Sequence, residues 1–170
     1  ASYKAENCVK ILNPLSNDLN VMRQTLLFNA MEAVQLNVNH RNANLKLYEF
    51  GNCYFYNEEA RSEESATAPY TENYRLAIAV TGDAVAQTWN AAAQSASFFT
   101  LKSAVEQVLK RFGLDIYKLK CESLDSDIFG EGVALMQGNN WLVQMGVVSP
   151  KIAKAFDLKQ EVFFAEIDFD

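Results

Sequence analysis

The sequence predicts an α+β domain, an antiparallel-rich sheet flanked by two long helices and one short one. Three observations carry that prediction. Two stretches, about 20–39 and 98–112, place apolar residues at spacings of three and four. Several shorter runs are continuously apolar or alternate with a period of two. Gly138-Asn139-Asn140 sits between two such runs as a hairpin signal.

Taken in order, 8–12 is a short apolar strand stopped by Asn13-Pro14, because a residue before proline is biased toward extended geometry. Over 20–39, Met22, Leu26, Ala30 and Ala33 recur with Leu27, Met31, Val34 and Val38 beside them, a broad apolar helical face. Over 45–56 both alternating faces are apolar, with Leu45, Leu47 and Cys53 on one and Tyr48, Phe50 and Tyr54 on the other, so this is expected to be a central strand covered on both sides. Gly51 within it marks a bulge or a close backbone approach. The acidic stretch 57–73 has almost nothing to bury and is expected to be a solvated loop. A strand follows at 74–82, then a small-residue loop around Trp89 over 83–96 with at most one helical turn. Ser97 as N-cap and Gly113 as stop bound the helix 98–112, whose Lys102, Glu106 and Lys110 fall four apart on the outer face. The last third reads as strands near 116–123, 132–137, 141–148 and 161–168. Ser149-Pro150 opens a short helix to about 156, with serine as cap.

With 170 residues, 49% of them hydrophobic, residues 1–170 make a single domain with a core. The net charge of -6 and the absence of a basic stripe argue against a chain that grips nucleic acid by itself. No stretch approaches the roughly 20 apolar residues of a membrane helix, and residues 1–6 lack the order of a secretory signal. A cytoplasmic location and no membrane partner are expected. Cys8, Cys53 and Cys121 are odd in number and far apart, and are read as buried free thiols. The first residue is not Met, and Phe169-Asp170 lies within an alternation that still reads as strand, so the chain is taken as an internal piece of a longer one.

Chemistry is sparse. His40 is the sole histidine, so catalytic triads and histidine-rich metal sites cannot be assembled. Glu58, Glu59, Glu63 and Glu64 belong to the polar loop, and Asp168 and Asp170 to a solvated strand edge. Arg23, at the first turn of an apolar helix, and Glu49, in mid-strand, are the unusual charges. They are expected to meet, or to be satisfied by the polar loop 13–17, and so to fasten the first helix across the sheet.

Val9-Lys10-Ile11-Leu12-Asn13-Pro14-Leu15-Ser16, then Met22-Arg23-Gln24-Thr25-Leu26-Leu27, then Asn37 and Asn39, then Leu47-Tyr48-Glu49-Phe50-Gly51 form an ordered series. It resembles the beta subunit of bacterial phenylalanyl-tRNA synthetases. The resemblance continues through the strand 76–82, through Trp89 and Phe98-Phe99-Thr100-Leu101-Lys102, and through Gly146-Val147-Val148-Ser149-Pro150-Lys151 into Phe156-Asp157-Leu158. Ser149 stands where the family often has His, Ser103 where Gly is usual, and Phe28-Asn29 where Pro-Gly is usual.

The resemblance implies most of that subunit's catalytic-like module, an internal fragment built on the class II synthetase catalytic-core plan. In the family the alpha subunit activates phenylalanine with ATP and magnesium and charges tRNA(Phe), and the beta module packs against it in a two-alpha, two-beta assembly. Phenylalanine, ATP, magnesium and tRNA then belong to the assembly. No catalytic, cofactor or metal residue is assigned here, and Asn13, Pro14, Ser16, Met22, Arg23, Glu49 and Gly51 are motif residues with a structural role. The competing reading is an autonomous amino-acid-binding or enzymatic paralogue of the same fold. It requires a concave pocket with convergent polar groups and perturbed acids.

Overall fold

In the computed structural model, which describes residues 3–16, 19–63 and 65–169, the apolar runs become one six-stranded antiparallel sheet. Asn17, Glu64 and Asp170 lie outside the described residues. The strands are β1 (Leu45–Tyr56), β2 (Tyr70–Thr81), β5 (Lys120–Ser123), β6 (Phe129–Gln137), β7 (Asn140–Val148) and β8 (Val162–Asp168), in the spatial order β1-β2-β8-β7-β6-β5. A separate two-stranded ribbon pairs β3 (Asp83–Val85) with β4 (Gln94–Ser95). The helices are α1 (Leu27–Asn39), α2 (Phe98–Arg111) and α3 (Pro150–Ala155).

The period of two divides the core between the sheet's faces. On one face Leu27, Met31 and Val34 of α1 pack with Cys53, Ala77, Ala79 and Phe164. On the other, Leu101, Val105 and Leu109 of α2 pack with Ile78, Val143, Met145 and Ile167. Phe164 and Ala165 are neighbours on β8 yet belong to different cores. The α2 boundaries follow their local chemistry closely. Ser97 and Thr100 form a reciprocal capping box, Gly113 takes φ 77° just past the end, and Lys102 pairs with Glu106 at 3.5 Å on the outer face.

Several expectations need correction. The first helix begins at Leu27, not near residue 20, because 20–22 pair back with 9–11 instead: Met22 N–H bonds Val9 O at 2.8 Å, and Ile11 N–H bonds Asn20 O at 2.9 Å. The strand expected at 8–12 is reduced to a bridge between Lys10 and Val21. Arg23 therefore precedes α1 and is not in its first turn. The segment 45–56 is a strand, but it lies at the edge of the sheet, with Tyr48 75% exposed and Phe50 exposed. Apolar residues on both faces imitated a central strand. β2 starts at Tyr70, inside the expected loop, because its first residues pair with the end of β1 as far as Tyr56↔Tyr70. The stretch 83–96 forms the β3–β4 ribbon, and Ile116–Lys118 is a 3-10 turn ahead of β5. Pro150 opens α3, but Ser149 gives no side-chain cap; its hydroxyl donates to Asp127 O at 3.2 Å. Of the cysteines only Cys53 is buried; Cys8 is half-buried and Cys121 exposed.

Candidate functional site

The densest polar cluster is built by β2 and β8 under the start of α1. Arg75 lies in the run Tyr74-Arg75-Leu76-Ala77-Ile78, and antiparallel pairing sets it opposite Asp168. Two residues before Asp168 along β8, the period of two puts Glu166 on the same face. The Arg75 Nε donates to Asp168 at 3.2 Å, while its Nη1 donates to Glu166 at 3.4 Å and to the Gln24 carbonyl at 3.2 Å. The three side chains are 6%, 12% and 3% exposed respectively, so this is a charge network inside the protein. The Arg75 guanidinium also lies 4.8 Å from the centre of the Trp141 ring and 5.1 Å from that of Phe55, a cation between two aromatic faces.

Glu166 does a second job. Its Oε1 accepts from the Leu26 N–H at 2.8 Å and from the Thr25 hydroxyl at 3.1 Å, and the Thr25 oxygen in turn accepts from the Leu27 N–H at 3.1 Å. The first N–H groups of a helix have no partner within it, and that end of the helix favours negative charge. A carboxylate from β8 thus caps α1 from across the sheet. Burial pushes the Glu166 carboxyl above its ordinary range, against the pull of Arg75, the Leu26 N–H and the Thr25 hydroxyl. Burial likewise raises the neighbouring Cys53 thiol to about 11 and moves the Tyr3 hydroxyl upward, with the Glu166 charge adding to both.

Of the residues singled out in the sequence, the structure brings Arg23, Glu49 and Gly51 together. Arg23 Nη1 bonds Glu49 at 2.6 Å and its Nε donates to Asn52 O at 2.9 Å. The Arg23 carbonyl accepts from the Tyr54 N–H at 2.8 Å. A Cβ at Gly51 would collide with the Arg23 guanidinium, so Gly51 is the close approach and not a bulge. This pair is half-open, with side chains 30% and 37% exposed. Asn13, Pro14 and Ser16 stand apart in an exposed loop, and half-buried Met22 pairs its backbone with Val9.

The Arg75 cluster was not anticipated. Asp168, expected at a solvated edge, is one of its members. The signal was present: Arg75 immediately precedes the apolar run Leu76–Val80, and Glu166 interrupts the apolar residues of Val162–Ile167.

The cluster opens on a cleft of about 440 Å³ lined by Phe55, Asn73, Asn140 and Trp141. Larger hollows of about 630 and 720 Å³ lie elsewhere, on either side of Gly130 and Glu131, and hold none of this network. Among the described residues every buried side-chain nitrogen and oxygen has a partner, and no three His, Cys, Asp or Glu side chains gather to hold a metal ion. Arg75, Glu166 and Thr25 spend their bonding capacity on one another and on the backbone. The arrangement organises the fold and presents no free acid, base or nucleophile among these groups.

The description of the phenylalanyl tRNA synthetase beta chain CLM domain matches residues 1–169. The chain is 43% identical over 169 residues to the phenylalanine--tRNA ligase beta subunit of Bacteroides fragilis, covering 99% of this chain and 21% of that protein. It is 42% identical over 169 residues to the same subunit of Bacteroides thetaiotaomicron and 35% identical over 170 residues to that of Porphyromonas gingivalis, with the same coverage. It therefore spans about a fifth of the length of these relatives. Among solved structures it superposes on pyrrolysyl-tRNA synthetase from Desulfitobacterium hafniense with a TM-score of 0.66 at 13% identity, covering 96% of this chain and 50% of that one. The α+β architecture is that of a class II synthetase core. Among the described residues no helix is long and apolar enough to cross a membrane.

Proposed function

The chain belongs to the phenylalanyl-tRNA synthetase beta-chain family, and on that premise we propose that it is a structural, catalytically inactive module packing against the alpha subunit of the parent ligase. It is an internal domain of a longer cytoplasmic beta subunit. The assembly attaches phenylalanine to tRNA(Phe) with ATP and magnesium, and this module supplies no ligand to either cofactor. One observation carries the reading. The charged groups above the sheet form a closed set: Arg75 is held by Glu166, Asp168 and Gln24 between two rings, and Glu166 is committed to the end of α1. A site that must exchange partners with a substrate keeps groups free or poised to take it up. This one is occupied by its own protein.

The test is to purify the full-length beta subunit from its own cells and to assay phenylalanine-dependent pyrophosphate exchange with and without the alpha subunit. Equimolar recovery of alpha with beta, and exchange only when alpha is present, are expected. A beta chain that purifies alone, or that activates an amino acid unaided, overturns the proposal.

A further inference from the structure

The chain ahead of α1 is anchored at two unequal depths. Gln24, Thr25, Leu26 and Leu27 are all buried, whereas no described residue from 3 to 23 is. The shallow part has two limbs, 3–11 and 20–23, that hold each other: Met22 N–H bonds Val9 O, and Ile11 N–H bonds Asn20 O. A 3-10 turn, Ala5–Asn7, lays the first limb against β1. Among the described residues, every hydrogen bond from these limbs to the sheet belongs to Arg23. Its side chain reaches Glu49 and the Asn52 carbonyl, and its own carbonyl takes the Tyr54 N–H. At the far end Tyr3 packs on the core that contains Cys53. The Cys53 charge is among the causes that raise the Tyr3 hydroxyl, so the two side chains are neighbours.

The next residues are tied from inside. The Gln24 carbonyl accepts from Arg75, and Thr25 and the Leu26 N–H are held by Glu166. The step in burial falls between Arg23 and Gln24. Segments with few buried contacts and solvent-exposed hydrogen bonds open at lower free energy than the core beside them. We propose that 3–11 and 20–23 form a strap that lifts from β1 as a unit, about a hinge between Arg23 and Gln24, while 24–27 and α1 stay seated. Lifting breaks the Arg23 bonds to β1 and the Gln24 Nε2 bond to the Lys4 carbonyl, and it withdraws Tyr3. It frees the Asn52 carbonyl and the Tyr54 N–H, and it opens a path to the Cys53 thiol, which is fully buried with the strap down. The half-open Arg23–Glu49 pair sets the position of this equilibrium, and salt shifts it toward the lifted state by screening the pair.

The experiment uses the full-length protein. Alkylation of Cys53 by iodoacetamide is followed by mass spectrometry of the peptide that contains it, beside amide hydrogen exchange at Tyr54 and Leu26. Cys53 and Tyr54 are expected to react through an opening far more frequent than the one that exposes Leu26. Glu49→Gln, on the half-open surface, and high salt are each expected to speed Cys53 and Tyr54 by about two- to fivefold. Val105→Ala weakens the core under α2 on the opposite face, so it is expected to speed Leu26 by about tenfold or more and to leave Cys53 and Tyr54 unchanged. If Cys53 and Tyr54 react only as fast as Leu26, or if Val105→Ala speeds all three alike, the segment opens only with the whole domain and the proposal fails. Rates at Cys53 and Tyr54 that ignore both Glu49→Gln and salt also overturn it, because Arg23 would then not hold the strap.

Discussion

Two arginines tie the chain ahead of α1 to the sheet, at opposite depths. Arg23 reaches Glu49 across a half-open surface, whereas Arg75 meets Glu166 and Asp168 inside the protein. In the open pair each ion keeps much of its hydration, so attraction and lost solvation nearly cancel. In the buried cluster most hydration is lost, and each charge depends on the others and on the backbone at and ahead of the start of α1. A short distance is therefore a poor guide to importance: losing one partner is expected to cost less at the 2.6 Å contact than at the 3.2–3.4 Å contacts.

The largest expected effect breaks the deep tie. Arg75→Met keeps the length of the side chain and its packing against Phe55 and Trp141, yet leaves Glu166 buried beside Asp168 without its cation. Removing one partner of a buried pair costs about 3–5 kcal/mol. Urea denaturation should show a midpoint shift of that size with little change in slope. A shift below that expected for an exposed pair would mean that water enters the cluster and that the contrast between the two arginines is false.

Glu166→Gln is milder and carries a pH signature. The amide can still receive the Leu26 N–H and cap α1, so the expected loss at neutral pH is about 1–3 kcal/mol. Because burial raises the Glu166 carboxyl above its ordinary value of 4.5, the folded state holds that proton more tightly than the unfolded one. The contribution of this group to stability is fully present below 4.5 and is lost as pH rises through the folded-state value. The difference between wild type and Glu166→Gln, followed by urea midpoints from acid to neutral pH, should thus move in favour of the wild type on acidification. A difference independent of pH would show that Arg75 and the helix end offset the burial completely.

The same contrast explains what the sequence made legible. Helix α2, the hairpin between β6 and β7, and the α+β class follow from spacing, capping and turn chemistry, all of which act over a few residues. Arg23 and Glu49 stood out as single charges in apolar surroundings, and they do meet. Arg75 and Glu166 gave a local signal too, one beside an apolar run and one within it, but they are separated by 91 positions, and the register that sets Arg75 opposite Asp168 is a property of the whole sheet. Asp168 accordingly passed for a surface residue. The edge position of β1 was hidden for a related reason. Tyr48 and Phe50 are as apolar as core residues, and only the strand order shows that nothing in the described chain covers them.

The shallow tie can be tested through the glycine beneath it. Gly51→Ala puts a methyl group where the Arg23 guanidinium lies, so the arginine must swing away and lose Glu49 and the Asn52 carbonyl. The guanidinium is the far end of a flexible side chain, which limits the cost to about 1 kcal/mol. A loss of several kcal/mol would mean that Arg23 is as fixed as Arg75.

Glu49→Gln is the smallest perturbation and the cleanest measure of the open pair. The amide keeps the shape of the carboxylate and can still accept a hydrogen bond from Arg23, so only the charge is removed. Combined with Arg23→Met in a double-mutant cycle, it isolates the pair's coupling, expected at about 0.2–1 kcal/mol and smaller in high salt, because partly exposed charges are screened. The corresponding cycle on Arg75 and Glu166 should exceed it several-fold and respond little to salt, because both side chains are buried. Equal coupling in the two cycles would place both arginines in the same electrostatic environment and remove burial as the reason one tie is strong and the other weak.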